Sequence, residues 1–330
     1  MLNPNQKLNP KIFEKDVEQV PIRKGFGQGL LELGEKNSQV VGLCADLTES
    51  TQMHLFKNKF PERFVEMGVA EQNLASVASG MSAMGKIPFI SSYAMFSPGR
   101  NWEQIRTTIC YNDRAVIIVG SHAGVSVGPD GGTHQAIEDI AITRVIPNMI
   151  VISPCDHIEA RKATIACADL GKPVYLRLAR EKTPVITTKE TPFEVGKGQI
   201  LFGKDLKAEV GIIATGALVY KALKVAEKLS KEKINVKVLN ISTIKPLDEK
   251  AVLELAKEAG ALVTVEEHQI TGGLGGAVSE FLAKTQPTPI EFIGVKNQFG
   301  QSGKPEELLE HYEMGESHIL EAVKRVVERK

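Results

Sequence analysis

Glu71 is the first side chain whose setting suggests chemistry. It lies in residues 64–85, FVEMGVAEQNLASVASGMSAMG, just after an apolar run and in the first turn of a helix. Ligand sites of α/β sheets lie at such strand ends. A first-turn glutamate also complements the helix dipole with no ligand present, so position alone leaves both readings open. A second candidate is residues 119–139, VGSHAGVSVGPDGGTHQAIED, a glycine-rich loop that carries His122, Asp130 and His134. Its glycines let a ligand approach the backbone, and an aspartate four residues before a histidine suits acid–base or hydrogen-bonding work. Neither GxxxxGK[ST] nor GxGxxG occurs there, so it is not a nucleotide loop of either type. Tyr93 and Phe96 stand three apart at a strand end, where core packing accounts for them as well as a ligand wall does. Arg23, Ser50 and Arg180 are scattered. Arginine suits bidentate phosphate binding, but local spacing does not bring the three together. The Thr271–Glu280 stretch, TGGLGGAVSE, reads as a tight turn with close helix packing rather than an anion site. His311 and His318, among glutamates, read as a solvated face.

These residues need a scaffold, and the apolar pattern supplies one. Runs at Gln39–Asp46, Arg63–Gly68, Ile87–Tyr93, Ala115–Gly120, Met149–Ser153 and Val174–Leu178 are short and rich in β-branched residues. A second set follows at Val210–Ala214, Val236–Ile241, Leu262–Glu266 and Ile290–Val295. Consecutive apolar positions, as in VIIV and MIVIS, suit parallel strands covered on both faces. Between them, Leu74, Val77, Ala78 and Met81 mark one buried helical stripe. Asp156 followed by Glu159 is a cap that opens another helix. Residues 218–229 and 249–259 predict two more. The alternation predicts an α/β fold of two domains, each a mostly parallel sheet with helices on both faces. The poorly periodic stretch 181–207 divides them, giving domains at 15–195 and 205–330.

Composition narrows the function classes. The 330 residues are 42% hydrophobic and 24% charged, with 40 basic and 40 acidic side chains. A net charge of zero argues against broad nucleic-acid binding, which needs excess Lys and Arg. Four dispersed cysteines (Cys44, Cys110, Cys155, Cys167) form neither a CxxC nor a Cys/His cluster, so buried thiols are expected. The N-terminal segment has no apolar signal core, and no apolar run nears the ~20 residues of a membrane span. A soluble cytoplasmic protein is expected, with no nucleic-acid or membrane partner.

Taken in order, several segments resemble the C-terminal half of transketolase. They are Cys44-Ala45-Asp46-Leu47, Met67-Gly68-Val69-Ala70-Glu71-Gln72-Asn73, Ser91-Ser92-Tyr93-Ala94-Met95-Phe96 and Gly128-Pro129-Asp130-Gly131-Gly132-Thr133-His134-Gln135. The likeness continues through Pro147-Asn148-Met149, Ser153-Pro154-Cys155-Asp156 and Leu178-Ala179-Arg180. It implies a pyrimidine-binding domain followed by a transketolase C-terminal domain, and a thiamine diphosphate cofactor. Glu71 then matches the glutamate that binds N1′ of the aminopyrimidine. Tyr93 and Phe96 match its aromatic wall, and Asp46 falls among the cofactor-binding positions. Ser97-Pro98-Gly99 stands where long-chain relatives often carry a further aromatic, which implies a thinner wall. Asp130 and His134 match contacts to the donor sugar, and with Glu71 they form the implied catalytic set. Arg23, Ser50, His122 and Arg180 match the group holding the sugar's terminal phosphate. The family's GDG motif, which holds pyrophosphate with a Mg or Ca ion, is absent from these residues. The resemblance therefore implies a partner, the N-terminal transketolase subunit, in an α2β2 assembly, and no metal bound by this chain. The same architecture also serves 2-oxoacid dehydrogenase β subunits and transketolase-like enzymes for specialised pentose phosphates, which remain the alternatives.

Overall fold

In a computed structural model describing residues 1–330, each of the ten apolar runs becomes a strand, and four further strands join them. In chain order the strands are β1 (Gln19–Pro21), β2 (Val40–Cys44), β3 (Phe64–Glu66), β4 (Ile87–Tyr93), β5 (Ile117–Ser121), β6 (Ile150–Ile152) and β7 (Val174–Arg177). They continue as β8 (Lys182–Pro184), β9 (Gln199–Phe202), β10 (Val210–Ala214), β11 (Val236–Asn240), β12 (Thr243–Lys245), β13 (Leu262–Gln269) and β14 (Ile290–Val295). The first sheet has the order β12-β6-β7-β5-β4-β2-β3, and the second β14-β13-β10-β11-β9. All pairings are parallel except β12 on β6 and β9 on β11. Every residue of β2, β5 and β10 is buried, which explains their unbroken apolar runs: helices cover both sheet faces. The four short strands, such as QVP, KTP and TIK, are too brief to show a period of two. β1 and β8 pair antiparallel as a small ribbon, so residues 182–184 are structured within the aperiodic stretch. The second sheet begins at Gln199, and β12, from the second half of the chain, forms the edge of the first sheet.

The helices follow their local signals. Glu71–Ala83 buries Leu74 and Ala78, with Val77 and Met81 packed on the same core. Asp156 accepts the Glu159 N–H at 2.8 Å, and Glu159 reaches back to the Cys155 N–H at 2.6 Å, a reciprocal cap. Gly-rich 271–276 is a packing device, as expected. The Glu266 carboxylate accepts the Leu274 and Gly275 N–H groups at 2.7 and 2.8 Å, so the protein's own anion occupies that helix start. All four cysteines are buried free thiols, and burial pushes Cys110 and Cys167 up to about 12. His311 lies on the surface and His318 pairs with Glu310 at 3.6 Å. No helix is long and apolar enough to cross a membrane.

Candidate active site

The parallel strands β2, β4 and β5 end side by side, with Cys44 opposite Ser91 and Tyr93 opposite Ser121. Their C-terminal edge delivers most of the candidate residues. Glu71 opens its helix beside this edge and is 2% exposed. Its Oε2 accepts from Arg100 Nη1 at 2.9 Å, and its backbone carbonyl accepts from Asn101 Nδ2 at 2.9 Å. Oε1 accepts no hydrogen bond. A buried carboxylate with one oxygen free is an acceptor held ready for a further donor. The Arg100 guanidinium also lies 4.9 Å from the Phe96 ring centroid.

From Phe96 the aromatic groups run on without a break. Phe96 and Tyr93 are nearly parallel (13°) with centroids 6.2 Å apart. Tyr93 stacks on His122 at 3.9 Å, while His134 meets both Phe96 and Tyr93 edge-on at 5.4 and 6.3 Å. Tyr93, Phe96 and His134 are only half-buried, so their flat faces are not consumed by the core. A flat heteroaromatic ring with a basic nitrogen fits these groups: stacking surface on one side, a free carboxylate oxygen on the other.

Beyond Tyr93 the site becomes cationic. Arg23 Nη1 donates to His122 Nε2 at 2.7 Å, and Ser121 Oγ lies 2.9 Å from Nδ1. Because guanidinium only donates, Nε2 accepts and the proton resides on Nδ1. Burial, reinforced by the Arg23, Arg180 and His134 charges, pushes His122 down to about 3. Burial and the Arg180 charge likewise lower Arg23. His122 is thus neutral, with φ +56° at the loop's first turn, between two arginines that repel each other. An anion between them relieves both repulsion and desolvation. Arg180 donates to the Val127 carbonyl and faces Asp130 at 3.6 Å, so the glycine-rich loop and the arginine position one another.

Two predicted residues stand apart from this line. Asp46, exposed with φ +59°, lies in the turn after β2. Glu66 holds that turn, accepting from the Asp46 N–H at 2.8 Å and from Thr48 Oγ at 2.7 Å. Ser50 is half-buried in the following turn and shares no hydrogen bond with Arg23, His122 or Arg180. Glu71, Tyr93, Phe96, His122, Arg23, His134, Asp130 and Arg180 come together; Asp46 and Ser50 border them on the neighbouring strand's loop.

Sequence reasoning missed Arg100, Glu66, Gln135 and Glu267. Arg100 follows Phe96 by four residues in an irregular turn, and nothing local marks it as the partner of Glu71. Glu267 lies 141 residues beyond Ser126, whose N–H it accepts at 2.6 Å. No cluster of three or more His, Cys, Asp or Glu side chains is arranged to hold a metal ion.

Known proteins resemble the chain across both sheets. Residues 18–185 match the family described as transketolase, pyrimidine binding domain, and residues 196–319 match that described as transketolase, C-terminal domain. A putative transketolase C-terminal section of Methanocaldococcus jannaschii is 45% identical over 312 residues, spanning 92% of this chain and 96% of that protein. A 6-deoxy-6-sulfo-D-fructose transketolase subunit of Clostridium sp. (strain MSTE9) is 37% identical, spanning 96% of this chain and 98% of that protein. The solved structure of a split gene transketolase, an inactive beta4 tetramer, superposes with a TM-score of 0.86 at 42% identity, spanning 94% and 99% of the two chains.

Proposed function

This chain belongs to the transketolase family of transferases, and from that premise we propose that it is the C-terminal subunit of a two-chain transketolase. It works in the cytoplasm, in the pentose phosphate pathway, moving a two-carbon ketol unit from a ketose phosphate to an aldose phosphate. Its first unit, 15–195, supplies the pyrimidine side of a thiamine diphosphate site, and its second, 205–330, is the transketolase C-terminal domain, which supports subunit packing. An N-terminal partner subunit supplies the diphosphate side and the Mg or Ca ion, in an α2β2 assembly. The relatives named as a C-terminal section and as a split gene product support this division.

When bound, thiamine diphosphate supplies the nucleophilic carbon and the electron sink that breaking a ketose C–C bond requires. Every other task falls to side chains. Glu71 holds a proton between its free Oε1 and the pyrimidine N1′. Arg100 holds its other oxygen, and closure of the site by the partner excludes water from this contact. Tyr93 and Phe96 give the pyrimidine its apolar wall, and Asp46 borders it. Asp130 and His134 hydrogen-bond the hydroxyls and carbonyl oxygen of the donor. Arg23, His122, Arg180 and Ser50 take the terminal phosphate.

The observation that carries this reading is the continuous line from the free oxygen of Glu71, across parallel Phe96 and Tyr93, to two arginines around a neutral histidine. A 2-oxoacid dehydrogenase β subunit handles phosphate-free acids and has no use for the cationic end. A second reading keeps the chemistry and changes the tail. The sulfofructose relative acts on a sugar ending in sulfonate, and the same two arginines suit a sulfonate as well as a phosphate.

The test is reconstitution. The purified chain mixed with the separate N-terminal subunit should transfer ketol from xylulose 5-phosphate to ribose 5-phosphate, and neither chain should do so alone. Transfer from 6-deoxy-6-sulfofructose in preference to the phosphate selects the second reading. Decarboxylation of a 2-oxoacid without any ketol transfer overturns both.

A further inference from the structure

The glycine-rich loop is held from outside its own domain. The loop between β5 and residue 139 carries Asp130 and His134 and orients Arg180 through the Val127 carbonyl. Three attachments tie it to the second sheet and the segment after β14. Glu267, at the end of β13 and 3% exposed, accepts the Ser126 N–H at 2.6 Å. A Cβ on Gly124 would lie 2.3 Å from the same Oε1, so only glycine lets that carboxylate approach. Ser302 Oγ donates to the Pro129 carbonyl at 2.7 Å. Gln135, 2% exposed, sits at the centre. Its Nε2 reaches the carbonyls of Val125 (3.0 Å), Gly128 (3.3 Å) and Gln301 (2.9 Å). Gly300 crosses over its amide so closely that a Cβ there would lie 1.8 Å from Oε1. The two loop carbonyls that Gln135 holds flank Val127, the residue that aims Arg180.

We propose that Gln135 is a positioning residue for the donor sugar, and that through it the second domain sets the substrate-binding geometry of Asp130, His134 and Arg180. This rests on the transketolase reading above. The physical ground is preorganisation. A glycine-rich loop has little intrinsic shape and loses much entropy on ordering. The Glu267 carboxylate, the Gln301 carbonyl and the Ser302 hydroxyl, all from the second domain, hold it in one shape with the loop's own Gln135 before the ligand arrives, and the ligand then binds without that ordering cost. Glu71, Tyr93 and Phe96 lie on other elements and are untouched by these bonds. Loss of Gln135 should therefore weaken the donor and spare the cofactor.

In the reconstituted two-chain enzyme, Gln135→Ala should raise KM for xylulose 5-phosphate about tenfold, as expected for buried carbonyls left without a donor. kcat should stay within about twofold and thiamine diphosphate affinity, read by calorimetry, should not move. Gln135→Glu, which keeps the shape but faces a carboxylate toward three carbonyls, should behave likewise or worse. Ser302→Ala loses one surface hydrogen bond and serves where the Gln135 variants fold poorly, with a KM rise of about twofold. Amide exchange across residues 124–134 of the chain alone should quicken in Gln135→Ala and Ser302→Ala, while β5 stays protected. Unchanged donor KM in Ser302→Ala and Gln135→Ala, or parallel losses of cofactor affinity and kcat, overturns the proposal. If the unmodified pair transfers no ketol, the functional reading fails by itself. Exchange then decides the coupling between domains, and unchanged exchange overturns it.

Discussion

The C-terminal edges of the two sheets share an architecture and treat charge in opposite ways. On the first sheet Arg23, Arg180 and His134 are half-open and Asp130 is exposed, and the two arginines repel each other with a neutral His122 between them. On the second sheet the end of β13 reads Glu266-Glu267-His268, and all three are buried and matched by the protein itself. Glu266 caps Leu274 and Gly275, Glu267 takes the Ser126 N–H, and His268 Nε2 lies 3.3 Å from the Ala141 N–H. Burial raises both glutamates, so a displaced pKa does not by itself tell a binding edge from a structural one. Unfinished pairing does. At the first edge Asp130 and Glu181 stand 3.6 Å from Arg180 and Arg23 has no carboxylate within ion-pair distance, whereas the second edge is matched throughout.

That contrast breaks most sharply at Glu71. Glu71→Gln should cost about 10²-fold or more in kcat of the reconstituted enzyme, the scale of an essential proton-transfer group, with thermal stability of the chain retained. Near-normal turnover would remove Glu71 from the chemistry and reduce it to a helix-start residue. Next in size, Arg180→Ala should raise donor KM about ten- to hundredfold while kcat changes little, as for loss of a charged hydrogen bond to bound phosphate. An Arg180→Ala enzyme with normal KM for a phosphorylated ketose would place the tail elsewhere.

The second edge should answer in stability instead. Glu266→Ala strands two buried N–H donors and should lower unfolding free energy by about 1–3 kcal/mol in urea titration, with donor KM unmoved. A KM shift as large as that of Arg180→Ala would erase the distinction between the edges. The smallest expected effect concerns pH. His122 titrates near about 3 when folded and near about 6.5 unfolded. The unfolded chain therefore binds the extra proton first as pH falls, and this contribution to stability, full above the unfolded value, is lost from there downward. Glu159, pushed by burial up to about 7, acts oppositely: its contribution is present at acid pH and lost as pH rises through that value. His122→Asn should remove the first term alone, so the variant should lose less stability than the unmodified chain between pH ~7 and ~5.

The sequence made the scaffold and much of the site legible for separable reasons. Buried parallel strands announce themselves because both faces are apolar, as in the fully buried β2, β5 and β10. The Asp156 cap was readable because capping is local. β1, β8 and β12 were not, since QVP, KTP and TIK mix polar and apolar residues in no run and their pairing partners lie far along the chain. In the site, the residue types of Glu71, His122, Asp130 and His134 were visible, whereas their convergence with Arg23 and Arg180 emerged only from the family likeness. Arg100 and Glu267 left no signal, and Gln135 only its place in a matched segment, because each acts across a contact that only the assembled chain creates.

The edge strand β12 bears on how this polypeptide is divisible. It arises between β11 and the helix Glu249–Ala259, inside the second half of the chain, yet completes the first sheet beside β6. The first half translated alone would present β6 as an open margin, with unpaired amides facing solvent and inviting the margin of another copy. Two compact halves that look like cassettes are in fact stitched together, and β12 is the stitch that completes a sheet. A division between them would cut through a sheet, leaving β6 without β12.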